Sequence, residues 1–245
     1  MATRRGLLKG ALFLGGAWAI MARPWNWVLM PELSYEPIEG LAPFRRLANG
    51  GDISAGGGSA ADAVLVGLDA PDRVDPAILQ RLRDDPTAAL WDGWDGTGPV
   101  PVTYFTDIRC PICRVLEPRL AALDGIRLTT REYPLFGDIS VQAARGILSA
   151  AQQGQGEAMR SRLHRAPPGL GDDALVQMAA GLGLDAARFE ADLAGPEVAA
   201  RLAEDRGLAQ IFGLPGTPAL IIGRTSVVGL QSVDMLEQIV AAERA

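Results

Sequence analysis

Cys110 and Cys113 are the only cysteines among 245 residues, and they stand two residues apart, after a strand-like run and ahead of a helix-like one. This arrangement constrains the chain more than any other feature. A disulfide-stapled scaffold needs more cysteines, spread along the chain. A bridge across so short a loop removes little chain entropy, so stability is not what the pair supplies. A zinc or iron–sulfur site needs about four ligands, and the chain offers two Cys and one His, His164, which reads as part of a solvated helix face. The sequence therefore gives no metal site and requires no cofactor. The remaining reading is reactivity. The first thiol of such a pair sits where a helix begins. Unpaired main-chain N–H groups and the positive end of the dipole favour an anion there, with pKa values of roughly 3.5–7.5. The thiolate attacks disulfides. Pro111 suits the first helical position, where a missing N–H is harmless. Arg109 and Arg114 add positive charge and Asp107 opposes it. Cys113, one turn on, lies within bridging reach, is expected to be the more buried of the two, and acts as the resolving thiol.

The patterning around the pair predicts an α/β fold. Pro101–Thr106 reads as a strand, Arg114–Leu123 as a helix bent at Pro118, and Ile126–Tyr133 as a third strand. Helices follow at Ser140–Gln153, Glu157–Arg165, Asp172–Ala180, Asp185–Leu193 and Glu197–Phe212, with Asp172 and Asp185 as N-cap candidates. Ala219–Ile222 and Ser226–Val228 read as a strand hairpin, and Ser232–Ala242 as a closing amphipathic helix. The expected domain spans 100–245, with a helical insertion at about 138–208. Residues 23–99 read as an arm or linker rich in turn signals. This stretch either includes the first strand and helix of the fold, at Ala63–Leu68 and Pro76–Arg83, or only wraps around it.

Residues 1–22 read as an address. Thr3-Arg4-Arg5-Gly6-Leu7-Leu8-Lys9, followed by an apolar run to Met21, resembles a bacterial twin-arginine export signal. The run is short for a membrane span, which takes about 20 residues. It is either cleaved or kept as an N-terminal anchor flanked by Trp25 and Trp27. Both place the rest of the chain in the periplasm, where dithiol chemistry acts on folding proteins. The net charge of −6 argues against nucleic acid as a partner.

Far downstream stands Gly213-Leu214-Pro215-Gly216-Thr217-Pro218. With Tyr104-Phe105-Thr106-Asp107 leading into Cys110-Pro111-Ile112-Cys113, and with Val228-Gly229 and a terminal helix, the chain resembles the DsbA-like thioredoxin superfamily from about Val100 onward. The resemblance implies a thioredoxin fold with a helical insertion between the third strand and the cis-Pro strand. It implies Cys110, Cys113 and Pro218 as catalytic residues, and a cis Thr217–Pro218 bond packed against Cys110. Thr217, Pro111 and Ile112 are then the substrate-binding positions, the Thr217 backbone pairing with an extended substrate segment. Two positions depart from the pattern. Tyr104 stands where a buried Asp or Glu is often found, and Ile112 where strong oxidases carry His, which implies a less oxidising pair. The expected activity is that of a periplasmic dithiol oxidase. Its partners are unfolded or partly folded exported proteins with thiols or disulfides, and a membrane redox protein that recycles the pair. A reductase or isomerase of the same fold, and a non-catalytic peptide-binding chaperone, are the alternatives.

Overall fold

A computed structural model describes residues 32–48, 74–91, 94–166 and 171–244. The chain divides into two units, residues 1–33 and 34–245, and of the first only Glu32 and Leu33 are described. The export signal read at 1–22 and the strand read at Ala63–Leu68 lie outside the described residues.

The second unit is built on a mixed six-stranded sheet. Its strands are β1 (Tyr35–Pro37), β2 (Arg45–Leu47), β3 (Val100–Thr106), β4 (Ile126–Glu132), β5 (Ala219–Ile222) and β6 (Thr225–Val228), in the spatial order β1-β2-β6-β5-β3-β4. β3 runs parallel to β4, from Val100 opposite Ile126 to Thr106 opposite Glu132. β5 is antiparallel to both β3 and β6. β2 joins β6 in parallel, with Arg45 opposite Thr225. All seven residues of β3 are buried, as expected for a central strand covered on both faces.

Successive side chains of β3 point to opposite faces. Phe105 enters an apolar cluster with Leu82, Leu90, Trp91, Leu208, Phe212 and Ile221. Helices α1 (Pro76–Asp84), α2 (Pro86–Leu90) and α8 (Pro196–Ile211) supply this face. Gly207 lets α1 approach α8 closely, since a Cβ there would lie 2.6 Å from Leu82 Cδ1. Tyr104 and Thr106 point to the other face, where α3 (Pro111–Ala121) and α9 (Val233–Glu243) pack. The Tyr104 hydroxyl donates to the carbonyl of Cys113 in α3, and Thr225 of β6 donates to Glu243 of α9.

Between β4 and β5 lies the helical insertion: α4 (Asp138–Ala151), α5 (Gly156–Arg165), α6 (Asp172–Ala180), α7 (Ala186–Leu193) and then α8. It carries its own core of Ile147, Met159, Leu163, Leu175, Phe189 and Leu193, into which Ile108 of the β3–α3 turn also inserts. That contact couples the insertion to the cysteine pair. The fold is thus the expected α/β thioredoxin type with an insertion. Asp185 caps α7 by accepting from Arg188 N–H at 3.0 Å. Asp172 does not cap: it is the first helical residue of α6 and Gly171 takes the cap position.

Candidate active site

The site begins where β3 ends. Asp107 is 1 % exposed, and each of its carboxylate oxygens accepts two hydrogen bonds. Oδ1 takes Arg109 N–H at 2.8 Å and the Ser140 hydroxyl at 2.8 Å. Oδ2 takes Leu135 N–H at 2.6 Å and Phe136 N–H at 3.3 Å. Its main-chain carbonyl takes Cys110 N–H at 3.0 Å. One acid therefore ties the β3–α3 turn, the loop after β4 and the start of α4 together. The carboxylate that the sequence sets against the thiolate is thus held by four donors of its own.

Cys110 is the N-cap of α3, with extended backbone at φ −74° and ψ 111°, and Pro111 follows at the first helical position. Its sulfur accepts Cys113 N–H at 3.3 Å. Its thiol donates to the carbonyl of Thr217 at 3.5 Å. The Thr217–Pro218 bond is cis and Pro218 is buried. Two segments 107 residues apart thus meet at one sulfur. Both cysteines are thiols, Cys110 3 % and Cys113 0 % exposed. Pro111 is exposed and Ile112 half-buried beside them.

The two thiols are driven apart electrostatically. The Cys110 pKa is drawn down to about 6, first by the hydrogen bond from the Cys113 thiol, against the opposing effect of burial. The Thr217 hydroxyl and the N–H groups of Cys113 and Ile112 add to the lowering. The same thiol–thiol bond, with burial, pushes Cys113 far up. The shift at Cys110 is the work of hydrogen bonds at the start of the helix. Neither flanking arginine is among its causes: Arg109 is exposed, and Arg114 donates to the Ile108 carbonyl at 3.5 Å.

Behind the pair, the Tyr104 hydroxyl donates to the Cys113 carbonyl at 3.2 Å. Glu117, one turn after Cys113, meets His164 of α5 at 3.2 Å. His164 is thus not the solvated residue the sequence suggested, since its side chain is 17 % exposed and held against the cysteine-bearing helix. Sequence reasoning also missed the anchoring role of Asp107, three of whose four side-chain donors lie 28 to 33 residues further on.

Comparison with known proteins agrees with this geometry. The DSBA-like thioredoxin domain family matches residues 101–241. Among solved structures, a thioredoxin-like oxidoreductase from Silicibacter pomeroyi is 33 % identical, with a TM-score of 0.54, the match covering 60 % of this chain and 87 % of that one. DsbA from Xylella fastidiosa is 26 % identical, with a TM-score of 0.53, over 62 % and 89 % of the two chains. The thiol-disulfide exchange protein alpha-DsbA2 from Wolbachia pipientis shares the fold, at 20 % identity and a TM-score of 0.55, over 76 % and 99 %. A curated relative, the Na(+)/H(+) antiporter NhaA 3 of Salinispora tropica, is 29 % identical over 144 residues, which are 56 % of this chain and 22 % of the antiporter. The chain therefore spans less than a quarter of that relative.

Proposed function

This chain belongs to the DSBA-like thioredoxin domain family, and from that premise we propose that it is a thiol–disulfide oxidoreductase working as a dithiol oxidase on exported proteins. The observation that carries the reading is the seat of Cys110. Its sulfur caps a helix, accepts an N–H from the first turn and faces the Thr217 carbonyl across the cis-Pro turn. In the oxidised pair, a substrate thiolate attacks the Cys110 sulfur. The Cys110–Cys113 bond breaks, and Cys113 leaves with the electron pair and takes up a proton. A second substrate thiolate then attacks the substrate sulfur of the mixed disulfide. Cys110 leaves as a thiolate, stabilised by the bonds that hold its pKa near 6. Low leaving-group pKa speeds this last step. Two substrate thiols end as a disulfide, and the pair ends as the dithiol.

Thr217 and Pro218 form one wall for an extended substrate segment, and the half-buried Ile112 with the exposed Pro111 forms the other. The exposed Phe136, tied to the site through Asp107, extends an apolar rim. The twin arginines Arg4 and Arg5 support export to the periplasm, the compartment in which such oxidation persists. Among the described residues no helix is long and apolar enough to cross a membrane. A membrane redox partner that reoxidises the pair completes the proposed cycle.

Equilibration of the Cys110–Cys113 pair with glutathione tests the direction. An oxidase is expected above about −200 mV and, lacking a His at position 112, below the roughly −120 mV of strong oxidases. A value near about −270 mV, that of a reductant, overturns the oxidase assignment and leaves the reductase. A Cys110→Ser variant that keeps its function in cells makes the chain a peptide-binding chaperone instead.

A further inference from the structure

The order of the sheet puts β4 at one end, where it pairs with β3 alone among the described strands. A strand so placed offers a row of main-chain donors and acceptors to an extended chain that comes beside it. Which residues carry the open row follows from the ladder. Val100 N–H donates to the Gly125 carbonyl, and Tyr133 N–H to the Thr106 carbonyl. The odd-numbered residues of β4 therefore face β3, and the even-numbered ones face outward. Glu132 fits this parity, since its outward N–H is taken by Asp205 of α8 at 3.0 Å. The outward groups of Leu128 and Thr130 have no partner among the described residues. The other end of the sheet is blunted: β1 has three residues and ends in Pro37. β4 has seven residues and no proline, and Leu128 on its open stretch is 40 % exposed.

The two faces beside this edge differ in chemistry. Thr130 stands opposite Tyr104 and shares its face with Leu128, while Arg127 and Thr129 lie on the other face, with Phe105. On the first face, Leu128 and Thr130 line a cleft of about 300 Å³ with Pro118, Leu120 and Ala121 of α3. The carboxylates of this cleft, Glu117 and Glu157, face His164 and Arg160. On the second face, Arg127 and Thr129 line a cleft of about 350 Å³ beside α2, with Arg131, Arg201 and Glu204. Arg131 is paired with Glu204 and Asp205, and Arg201 with Asp205. Arg127 is exposed and forms no ion pair among the described residues. Asp95 shares a further cleft with Arg127, but its carboxylate is engaged by the N–H and hydroxyl of Thr97 at 2.9 and 2.6 Å.

We propose that the open edge of β4 takes, as an added strand, an extended segment of another protein in which apolar residues alternate with acidic ones. This goes beyond the redox reading and does not depend on it. The segment pairs with the N–H and carbonyl groups of Leu128 and Thr130, and its side chains supply the selectivity. Alternation along a strand puts its apolar side chains over Leu128 and α3, and its carboxylates beside Arg127. The unpaired charge of Arg127 favours such a segment and disfavours a basic one.

A dye-labelled heptapeptide alternating valine and glutamate, blocked at both ends and free of cysteine, tests this by fluorescence anisotropy with the full-length protein. One-to-one binding is expected, and the same peptide with lysine in place of glutamate binds about tenfold more weakly. Thr130→Pro removes an outward donor while leaving the ladder to β3 in place, and is expected to weaken binding about tenfold. Arg127→Glu reverses the preference, so that the lysine peptide binds better. Both variants keep the reaction of Cys110 with dithiobis(nitrobenzoate), the check on an intact fold. If Thr130→Pro does not fold, peptides methylated on the main-chain nitrogens of either the valines or the glutamates decide: one series loses binding and the other keeps it. No binding, equal binding of the acidic and basic peptides, or the same affinity in Thr130→Pro overturns the proposal. A dimer by light scattering that Thr130→Pro dissociates also overturns it and assigns the edge to a second copy of this chain. None of these outcomes touches the Cys110–Cys113 exchange, which the glutathione equilibrium decides.

Discussion

Cys110 owes its acidity to short-range donors, and that makes its behaviour testable one residue at a time. Its alkylation by iodoacetamide is expected to have a midpoint near pH 6, against about 8.5 for a free thiol. Cys113→Ala removes the largest cause of the lowering, so the midpoint moves up toward the free value. A midpoint that stays put in this variant assigns the effect to the Thr217 hydroxyl and the helix N–H groups. The cysteine pair was legible from its spacing ahead of a helix, and the place of Thr217 and Pro218 beside it came through the family resemblance; the structure brings these residues together. Asp107 was not: nothing near it names Leu135, Phe136 or Ser140 as its donors. His164 was misread for the same reason, since its partner Glu117 comes from another helix.

At the scale of elements, the turn between β3 and α3 is fixed by the Asp107 carboxylate. Asp107→Ala leaves four donors without their acceptor. The expected loss is about 3 kcal/mol, or about 10 °C in Tm for a chain of this size. Thermal melts check it, and a shift under about 2 °C would mean that the loops hold their places without the carboxylate. The helices of the insertion were legible because apolar residues recur at helical spacing and the faces are buried as the pattern requires. β2 was not, because Arg45-Arg46-Leu47 carries no strand pattern. Its charges are absorbed by tertiary partners: Arg45 lies 3.9 Å from the centre of the Tyr35 ring and 2.9 Å from Glu243, and Arg46 donates to the Phe212 carbonyl.

For the whole molecule, Glu243 joins the two ends of the described fold. Its side chain is 0 % exposed and accepts from Arg45, Thr225 and both the main chain and side chain of Arg224. Burial opposes its ionisation, yet these donors outweigh burial and hold its pKa below the usual carboxylate value. A lowered acid stabilises the fold fully above its unfolded pKa of about 4.3, and that stability is lost as pH falls through the folded value. Glu243→Gln is therefore expected to cost about 3 kcal/mol near neutral pH. The gap between it and the unsubstituted protein closes as denaturation is repeated at lower pH. A gap that does not narrow would show that shape, not charge, is what Gln lacks.

The parallel pairing of β2 with β6 has a consequence for biosynthesis. Arg45 and Thr225 are hydrogen-bonded neighbours 180 residues apart. A ribosome emits the first of these residues long before the second exists. The strand must therefore wait, without its neighbour, until 180 further residues have been made. Closure of this edge of the sheet is therefore a late step of its assembly, after β3 and β4 already exist to pair.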